Sequence, residues 1–343
     1  MTDVQEAQER ALREFTRQWC ERDNRIAALS YFGNLIAYFA TFFAAVWAAL
    51  EGAWWLVAAI VVVNAFAAVR LYVLEHDCGH YTLFETRRQN DIAGIALSFF
   101  TLTPYRAMQY NHNRHHAHLG NLDMRDTGEI YTMTVREWEE AGPLKRIAYR
   151  TLRNPLFLLP IGGTLTYALR YRWPKNTMKV GWKGVMVQNL GLAIWLGFIW
   201  WVSGWTGLAV YGMTVVVAAV LGVAQVYLQH NFEHTYWDRK PTLKPRIAAL
   251  KGSSALDFGH WWDIATANIA YHDIHHFNAN VPSYRLRKCH LAAREQFHLP
   301  TIEPREALYC FTLKLWDEDK KVLVPFPNSV WERARPSGGQ AAA

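Results

Sequence analysis

Four continuous apolar runs, each about as long as a lipid bilayer is thick, limit what this chain can fold into. They cover residues 27–50, 53–74, 185–203 and 205–228, and Arg70 is the one charged residue among them. A helix needs about 20 predominantly apolar residues to cross a hydrocarbon core of about 30 Å, and a soluble fold has no need of such runs. The sequence therefore predicts an all-α integral membrane protein with four transmembrane helices in two hairpins.

The basic residues predict which side of the membrane each connection faces. The turns inside the two hairpins, Glu51 with Gly52 and Ser203 with Gly204, contain no Lys or Arg, whereas the N-terminal, central and C-terminal segments hold nearly all of the 36. Cytoplasmic segments of membrane proteins carry the excess of Lys and Arg. We therefore expect both termini and the central segment in the cytoplasm, with no cleaved signal at the polar N-terminus.

Three further segments are expected at the membrane surface. Residues 1–26 predict an amphipathic cytoplasmic helix, which lies either on the membrane or against the protein. The apolar stretches 92–103 and 156–169 are too short to cross, so we interpret them as interfacial or re-entrant pieces beneath a cytoplasmic domain. The apolar positions of the N-terminal helix are Val4, Ala7, Ala11, Phe15 and Trp19.

Histidines form the most specific pattern in the chain. Ten of the 14 fall into four groups, each just beyond a predicted span or in a cytoplasmic segment. Spacings of three and four residues place the imidazoles of a group on one face of a helix. Because two hairpins return the chain to the cytoplasm before each group, all four can meet. The groups are His76 and His80; His112, His115 and His116; His230 and His234; and His272, His275 and His276.

The number of these histidines indicates two metal ions. Neutral imidazoles are ligands for transition metals, and ten exceed the six that one octahedral ion accepts. Zinc is satisfied by three or four ligands, whereas iron with open coordination positions can bind dioxygen. The sequence therefore predicts two Fe ions held by the ten histidines, with O2 as co-substrate.

Other polar residues near the groups are assigned lesser roles. Asp77, Glu233 and Asp273 are candidates to orient the imidazoles, as carboxylates near metal-bound histidine often do, with a plain surface role as the alternative. Cys78 lies between the first two histidines and points away from their shared face, so it is not expected to be a ligand. The remaining histidines, expected to be solvated or structural, are His118, His260, His290 and His298.

Cysteine spacing and net charge indicate the compartment of the protein and its anionic partners. The four cysteines stand far apart, which argues against disulfides and a structural zinc site and indicates a reducing compartment. A net charge of +7 could suit nucleic acid, but the basic residues surround the membrane spans. We therefore expect membrane lipids as the anionic partners, and we do not expect nucleic acid.

The histidine boxes resemble those of a known family. His-x-x-x-His at 76–80 and His-x-x-His-His at 112–116 and 272–276 match, in that order, the membrane fatty acid desaturase superfamily. The flanking residues resemble bacterial acyl-lipid desaturases, and the resemblance covers roughly residues 30–300. The flanking segments are 112–138, 229–233, 275–278 and 281–286.

This resemblance implies a fold, a reaction and a location. It implies a di-iron site held by these histidines, a stem of four spans, a cytoplasmic helical cap and a bacterial inner membrane. It also implies O2-dependent removal of two hydrogens from an acyl chain on a lipid or a thioester. Family members usually supply one more ligand after the last span, and here His230 and His234 are both available. The expected division is an N-terminal helix (1–26), a desaturase domain (27–300) and a cytoplasmic extension with a disordered tail (301–343).

The implied reaction needs partners and a substrate tunnel. The chain has no Gly-rich dinucleotide fingerprint, haem motif or cysteine cluster, so two electrons must come from a separate donor. We expect a ferredoxin or a haem carrier with its reductase, and the basic cytoplasmic surface favours an acidic one. The aromatic candidates to line a buried acyl tunnel are Phe99, Phe100, Trp261, Trp262 and Tyr271.

Two other function classes remain open at this point. Related di-iron enzymes with the same histidine pattern hydroxylate, epoxidise or form ketones on alkanes, carotenoids or acyl chains. A zinc or iron transporter would also bind metal through histidines, although we expect a transporter to place its ligands within the spans. Box spacing and flanking residues favour desaturation.

Overall fold

The computed structural model describes residues 3–125, 130–172 and 178–329. Most of these residues are helical, as expected for the predicted class. The tail at 336–343, for which we expected disorder, lies outside the described residues. The helices are α1 (Asp3–Arg17), α2 (Asn24–Leu50), α3 (Trp54–Gly79), α4 (Arg87–Thr101), α5 (Tyr105–His118), α6 (Val135–Glu140), α7 (Pro143–Leu152), α8 (Pro155–Phe157), α9 (Gly163–Ala168), α10 (Trp182–His230), α11 (Pro245–Lys251), α12 (His260–Ala265), α13 (His272–Phe277), α14 (Ser283–Ala293) and α15 (Pro304–Cys310).

Five short strands tie the polar segments together. The strands are β1 (Met133–Thr134), β2 (Ala255–Leu256), β3 (Thr301–Ile302), β4 (Leu315–Asp317) and β5 (Val322–Val324). One sheet has the order β1-β4-β5, with β1 parallel to β4 and β4 antiparallel to β5. Met133 pairs with Leu315 in this sheet, and Ala255 pairs with Thr301 in the parallel pair β2-β3.

Three helices, α2, α3 and α10, are long and apolar enough to cross a membrane. The carboxylate of Asp23 accepts the first N–H groups of α2 and fixes where that helix begins. Gly52, with a φ of +74°, lets the chain turn back into α3. Polar side chains then join the two helices inside the apolar layer, since the Asn64 amide donates to the Tyr38 carbonyl at 2.8 Å.

Helix α10 is not a straight rod. Gly204 has a φ of 59° and a ψ of −148°, a backbone conformation open to glycine and not found in helices. The rings of Trp195 and Tyr211 both contact the Phe42 ring, with centroids 5.7 and 6.4 Å away. In an unbroken helix, 16 residues would separate them by about 24 Å. The chain therefore reverses at Gly204, between the runs 185–203 and 205–228.

The two shorter apolar stretches are not among the helices long enough to cross. Residues 92–103 fall mostly in α4, which packs on α3. Residues 156–169 form α8, a π-helical turn at Leu158–Gly162 and α9, and they pack on α10. The N-terminal helix α1 packs against the protein, because Leu12 is buried and Phe15 contacts Phe297.

Candidate metal centre

Four chain segments bring nine of the ten predicted histidines into two adjacent groups. His76 lies in the last turn of α3 and His80 caps that helix. The second box lies in the last two turns of α5, His230 ends α10, and the third box lies in the short helix α13. A bridge between Ala255 and Tyr271 fixes the chain immediately before α13.

The first group contains five histidines whose ligand nitrogens all lie within 4.8 Å of one another. The ring of His80 has a special position, because its centroid is 4.8–4.9 Å from the centroids of the other four. Its Nε2 is buried and has no hydrogen-bond partner. The group consists of His76, His80, His112, His116 and His275.

The second group contains four buried histidines, again with ligand nitrogens within 4.8 Å of one another. The two groups adjoin, since the rings of His116 and His276 stack at 4.1 Å. Helices α5 and α13 each contribute to both groups, so the two would move together. This group consists of His115, His230, His272 and His276.

Distances between ring nitrogens test whether these groups fit a metal. Six Nε2–Nε2 pairs lie 2.8–3.1 Å apart, three in each group. Nitrogens bound to one ion at about 2.1 Å are about 3.0 Å apart at right angles and about 3.4 Å apart at the tetrahedral angle. The separations therefore fit one ion per group, with ligands at close to right angles, and the unpartnered His80 nitrogen supports the same fit.

Burial keeps the imidazoles in the neutral form that binds metals. It lowers the pKa values of six of the clustered histidines, all outside the long apolar helices, well below the usual range, and neighbouring imidazoles lower them further. Their nitrogen lone pairs are therefore available at neutral pH. The six are His80, His112, His116, His272, His275 and His276.

Polar groups lie behind some of the histidine rings. An Asp77 oxygen lies 3.4 Å from Nδ1 of His76 without forming a hydrogen bond to it, and the other oxygen of that carboxylate accepts the Ser283 N–H at 2.7 Å. Nδ1 of His230 lies 2.9 Å from the Gly252 carbonyl oxygen, a partner that the spacing of the histidines could not predict. Asp273, next to His272, instead faces the buried His290.

His234 is the predicted ligand that the structure does not bring to either group. Helix α10 ends at His230 and the next residue, Asn231, has non-helical dihedrals, so the four-residue spacing no longer places both rings on one face. His234 is exposed, and both it and Glu233 influence the pKa of Glu306, which burial raises. His234, predicted as a ligand, therefore belongs to neither of the two groups.

The residues expected to stay outside the metal groups do so. Cys78 is buried and is a member of neither group, and all four cysteines are free. His118 faces the Arg114 carbonyl of its own helix. His260 and His298 are exposed, as expected for solvated side chains.

An apolar cavity of about 580 Å³ lies between the long helices. Tyr72, one turn before His76 on α3, lines it, and so does Gly222, about 12 Å before His230 on α10. Of the five aromatic candidates for the tunnel, Phe100 lines the cavity. The other four do not line it: Trp261 is largely exposed, Trp262 contacts Phe66, Tyr271 contacts the ring of His290, and Phe99 packs beside Gly191.

Comparisons with known proteins find one matching family and several relatives. A model of the fatty acid desaturase family matches residues 52–302. A "Fatty acid desaturase" from Bacillus subtilis is 30% identical over 90% of this chain and 88% of its own length. The "sn-1 acyl-lipid omega-3 desaturase (ferredoxin)" of Synechocystis is 26% identical over 78% of this chain and 75% of its own length. An "sn-1 oleoyl-lipid 12-desaturase" from Picosynechococcus is 20% identical over 71% of each chain.

The family match covers well over half of the chain, and the Bacillus relative aligns along nearly all of it. Both histidine triplets and the His76–His80 pair fall inside the matched residues. The metal-transporter interpretation is thereby set aside. The chain belongs to the fatty acid desaturase family and is an oxygen-dependent oxidoreductase acting on acyl chains.

Proposed function

We propose that this protein is a membrane di-iron desaturase that introduces a double bond into the acyl chain of a membrane lipid. The observation that carries the proposal is that the two histidine groups include the ends of α3 and α10, the helices that also contribute Tyr72 and Gly222 to the lining of the apolar cavity. The relatives named acyl-lipid and oleoyl-lipid desaturases favour a lipid-linked substrate over a thioester.

The nine clustered histidines are the proposed ligands, five for one iron and four for the other. Right-angle ligand separations favour iron over tetrahedral zinc. When bound, the irons would supply the activation of dioxygen that removal of two hydrogens from an unactivated chain requires. His234 is left out of the ligand set.

The protein's own part is to bind, orient and shield the acyl chain. Aliphatic and aromatic side chains dominate the lining of the cavity, as they do in most small-molecule sites. Tyr72 lies one turn before His76 on α3, so it would restrict how the chain passes the metals. Exclusion of water by this lining would protect the reaction from side products.

The proposed arrangement in the membrane has four crossings in two hairpins, with turns at Gly52 and Gly204. The chain reversal at Gly204, within α10, supports this arrangement. An even number of crossings places the four histidine-bearing segments on one side. The distribution of Lys and Arg makes that side, with the cap and both termini, cytoplasmic in a bacterial inner membrane.

Electrons are proposed to come from a separate acidic carrier. The Synechocystis relative is named for ferredoxin, and this chain has a net charge of +7. A basic surface favours encounter with an acidic donor and makes the rate sensitive to salt. A ferredoxin or a haem carrier with its reductase would serve.

Expression in a bacterial host without acyl desaturases tests the proposed function. We expect new monounsaturated chains in the membrane lipids, about two irons per purified chain, and loss of the product in H115A. Hydroxylated chains in place of unsaturated chains would contradict the proposed desaturation and identify the reaction as hydroxylation. Zinc without iron would contradict the di-iron proposal.

A further inference from the structure

One of the four histidine-bearing segments, α5, forms the thinnest wall around the two groups. The histidine-bearing ends of α3 (residues 73–79) and α10 (residues 227–230) are buried, and so is every residue of α13. Helix α5 has four buried residues, and Asn113 and Ala117, beside its histidines, are exposed. A helix with its side chains is about 10–12 Å across. Along this route the protein surface therefore lies about one helix diameter from the clustered histidines.

The outer face of α5 lies opposite its histidines. His112, His115 and His116 share one side of the helix, whereas a second set of residues recurs at intervals of three and four on the other side. The second set consists of Arg106, Tyr110, Arg114 and Ala117. Two arginines and a tyrosine thus lie across the helix from histidines of both groups.

Two tyrosine rings belong to this side of the protein, and a cation lies over each. Tyr81 comes directly after the first histidine box, and the Arg87 guanidinium lies 5.2 Å from its ring centroid. The Tyr81 hydroxyl accepts a hydrogen bond from Nη1 of Arg106 at 3.2 Å, which links it to α5. Nζ of Lys179 lies 5.9 Å from the ring centroid of Tyr110. We call these residues the α5 surface: Tyr81, Arg87, Arg106, Tyr110, Arg114 and Lys179.

Positive charge dominates the α5 surface. Arg87 and Lys179 are exposed, and neither forms an ion pair with an Asp or Glu in the part of the chain that the structure describes. Asp91 pairs with Arg106 at 2.8 Å, and the Glu85 carboxylate instead accepts the first N–H of α2 at 3.4 Å. Exposed cations of one sign favour the encounter with an acidic protein.

We propose that the α5 surface is where an acidic electron-carrier protein docks and passes its electrons to the metal site. This inference rests on the proposed function, which needs two electrons from outside in each turnover. Each docking transfers one electron, so the carrier is oxidised and the site is reduced, and no bond is formed or broken. Electron transfer slows steeply with distance, which favours the thinnest wall of the site. A lipid headgroup would match the charge but could not supply electrons.

The first test measures docking without turnover. The purified full-length protein, in nanodiscs of phosphatidylcholine, is titrated at low salt with an oxidised acidic [2Fe–2S] ferredoxin, and surface plasmon resonance gives the Kd. We expect R87E/K179E to raise the Kd at least tenfold, because it reverses two charges at the contact. The matched control is K145E/K288E, which makes the same change in net charge at exposed lysines of α7 and α14 and is expected to stay within twofold of the wild type.

Steady-state kinetics with reduced ferredoxin provide the second test. We expect R87E/K179E to raise KM for ferredoxin at least tenfold and to keep kcat within twofold, because the two cations act on docking and not on the acyl chain. Elemental analysis is expected to give the metal content of the wild type in this variant. If the double variant does not fold, K179E alone carries the comparison, with an expected rise in Kd of at least threefold.

The outcomes separate docking from the proposed reaction. No binding of ferredoxin to the wild type, an unchanged Kd in R87E/K179E, or an equal loss in K145E/K288E would overturn the docking site. An unchanged Kd together with less phosphatidylglycerol retained in native mass spectrometry would assign the surface to lipid headgroups instead. Ferredoxin that binds at the α5 surface of a protein that makes no unsaturated chains would contradict the proposed function and support the docking site.

Discussion

His80 and His234 each stand four residues after another histidine, yet their side chains have opposite environments. Nε2 of His80 is buried in a group with four other histidines, whereas His234 is exposed beyond the end of α10. We expect H80A to lose about one metal ion per chain and at least 90% of product, because it removes one of the five proposed ligands to the first ion. Even indirect changes at such sites lower metal affinity or activity about 10- to 100-fold. Elemental analysis and fatty-acid profiling measure both.

H234A is the matched control for H80A. We expect it to keep its metal content and product level, because its ring contacts neither group. Loss of metal from H234A, with H80A unaffected, would reverse the assignment of these two residues.

Asp77 joins the first histidine box to the segment after the third. Its carboxylate lies beside His76 and accepts the Ser283 N–H at 2.7 Å. We expect D77N, which keeps the shape and removes the charge, to weaken metal affinity about 10- to 100-fold. Competition against a chromogenic chelator measures the affinity. D257N, at a half-exposed carboxylate away from both metal groups, is the control, and equal losses in the two variants would contradict the role of Asp77.

Sequence spacing predicts ligands well where the helix continues and poorly where it stops. His112, His115 and His116 lie within α5, so their predicted shared environment is found. Asn231 ends α10 one residue after His230, and local spacing contains no signal for that. The Gly252 carbonyl and the Ser283 N–H come from distant segments, so no pattern around the boxes could identify them.

Close helix packing at Gly94 connects α4 to two of the histidine-bearing helices, α5 and α3. A Cβ at Gly94 would overlap the ring of Tyr105, which begins α5 and donates to the Cys78 carbonyl between His76 and His80. We expect G94A to lower the free energy of unfolding by about 1–3 kcal/mol, as overpacking does, and to reduce bound metal. Thermal unfolding and elemental analysis measure the two effects.

Gly33 in α2 provides the control for G94A. A Cβ there meets no atom within 4 Å, so G33A is expected to be neutral or to stabilise by up to about 1 kcal/mol through helix propensity. A G94A protein as stable and as metal-loaded as G33A would show that Tyr105 moves aside at no cost.

Elements differ in how well the sequence predicts them. The apolar runs locate α2 and α3 closely, because a span is a local property of composition. The strands have two or three residues each and pair segments far apart in the chain, as Met133 does with Leu315. Such pairings depend on tertiary contacts, so an all-α prediction omits them.

The whole molecule depends on the reversal at Gly204. As one straight helix, the 49 residues of α10 would extend about 73 Å, more than twice the hydrocarbon thickness, and would separate His230 from the start of that helix. With the reversal, both ends of α10 return to one side, and the nitrogens of His230 and His272 can lie 3.1 Å apart beside the second box. The proposed metal centre therefore goes together with the proposed even number of crossings.

Cysteine labelling tests the number of crossings in a C20S background, which removes the one native cysteine that is not fully buried. We expect E51C and S203C to react with a membrane-impermeant maleimide in intact cells, because both lie at the outer hairpin turns. K320C, at an exposed lysine on the opposite side, is expected to react only after the membrane is permeabilised. Reaction of S203C only after permeabilisation would place Gly204 inside the membrane or the cell. That result would contradict the four-crossing arrangement and, with it, a single-sided metal centre.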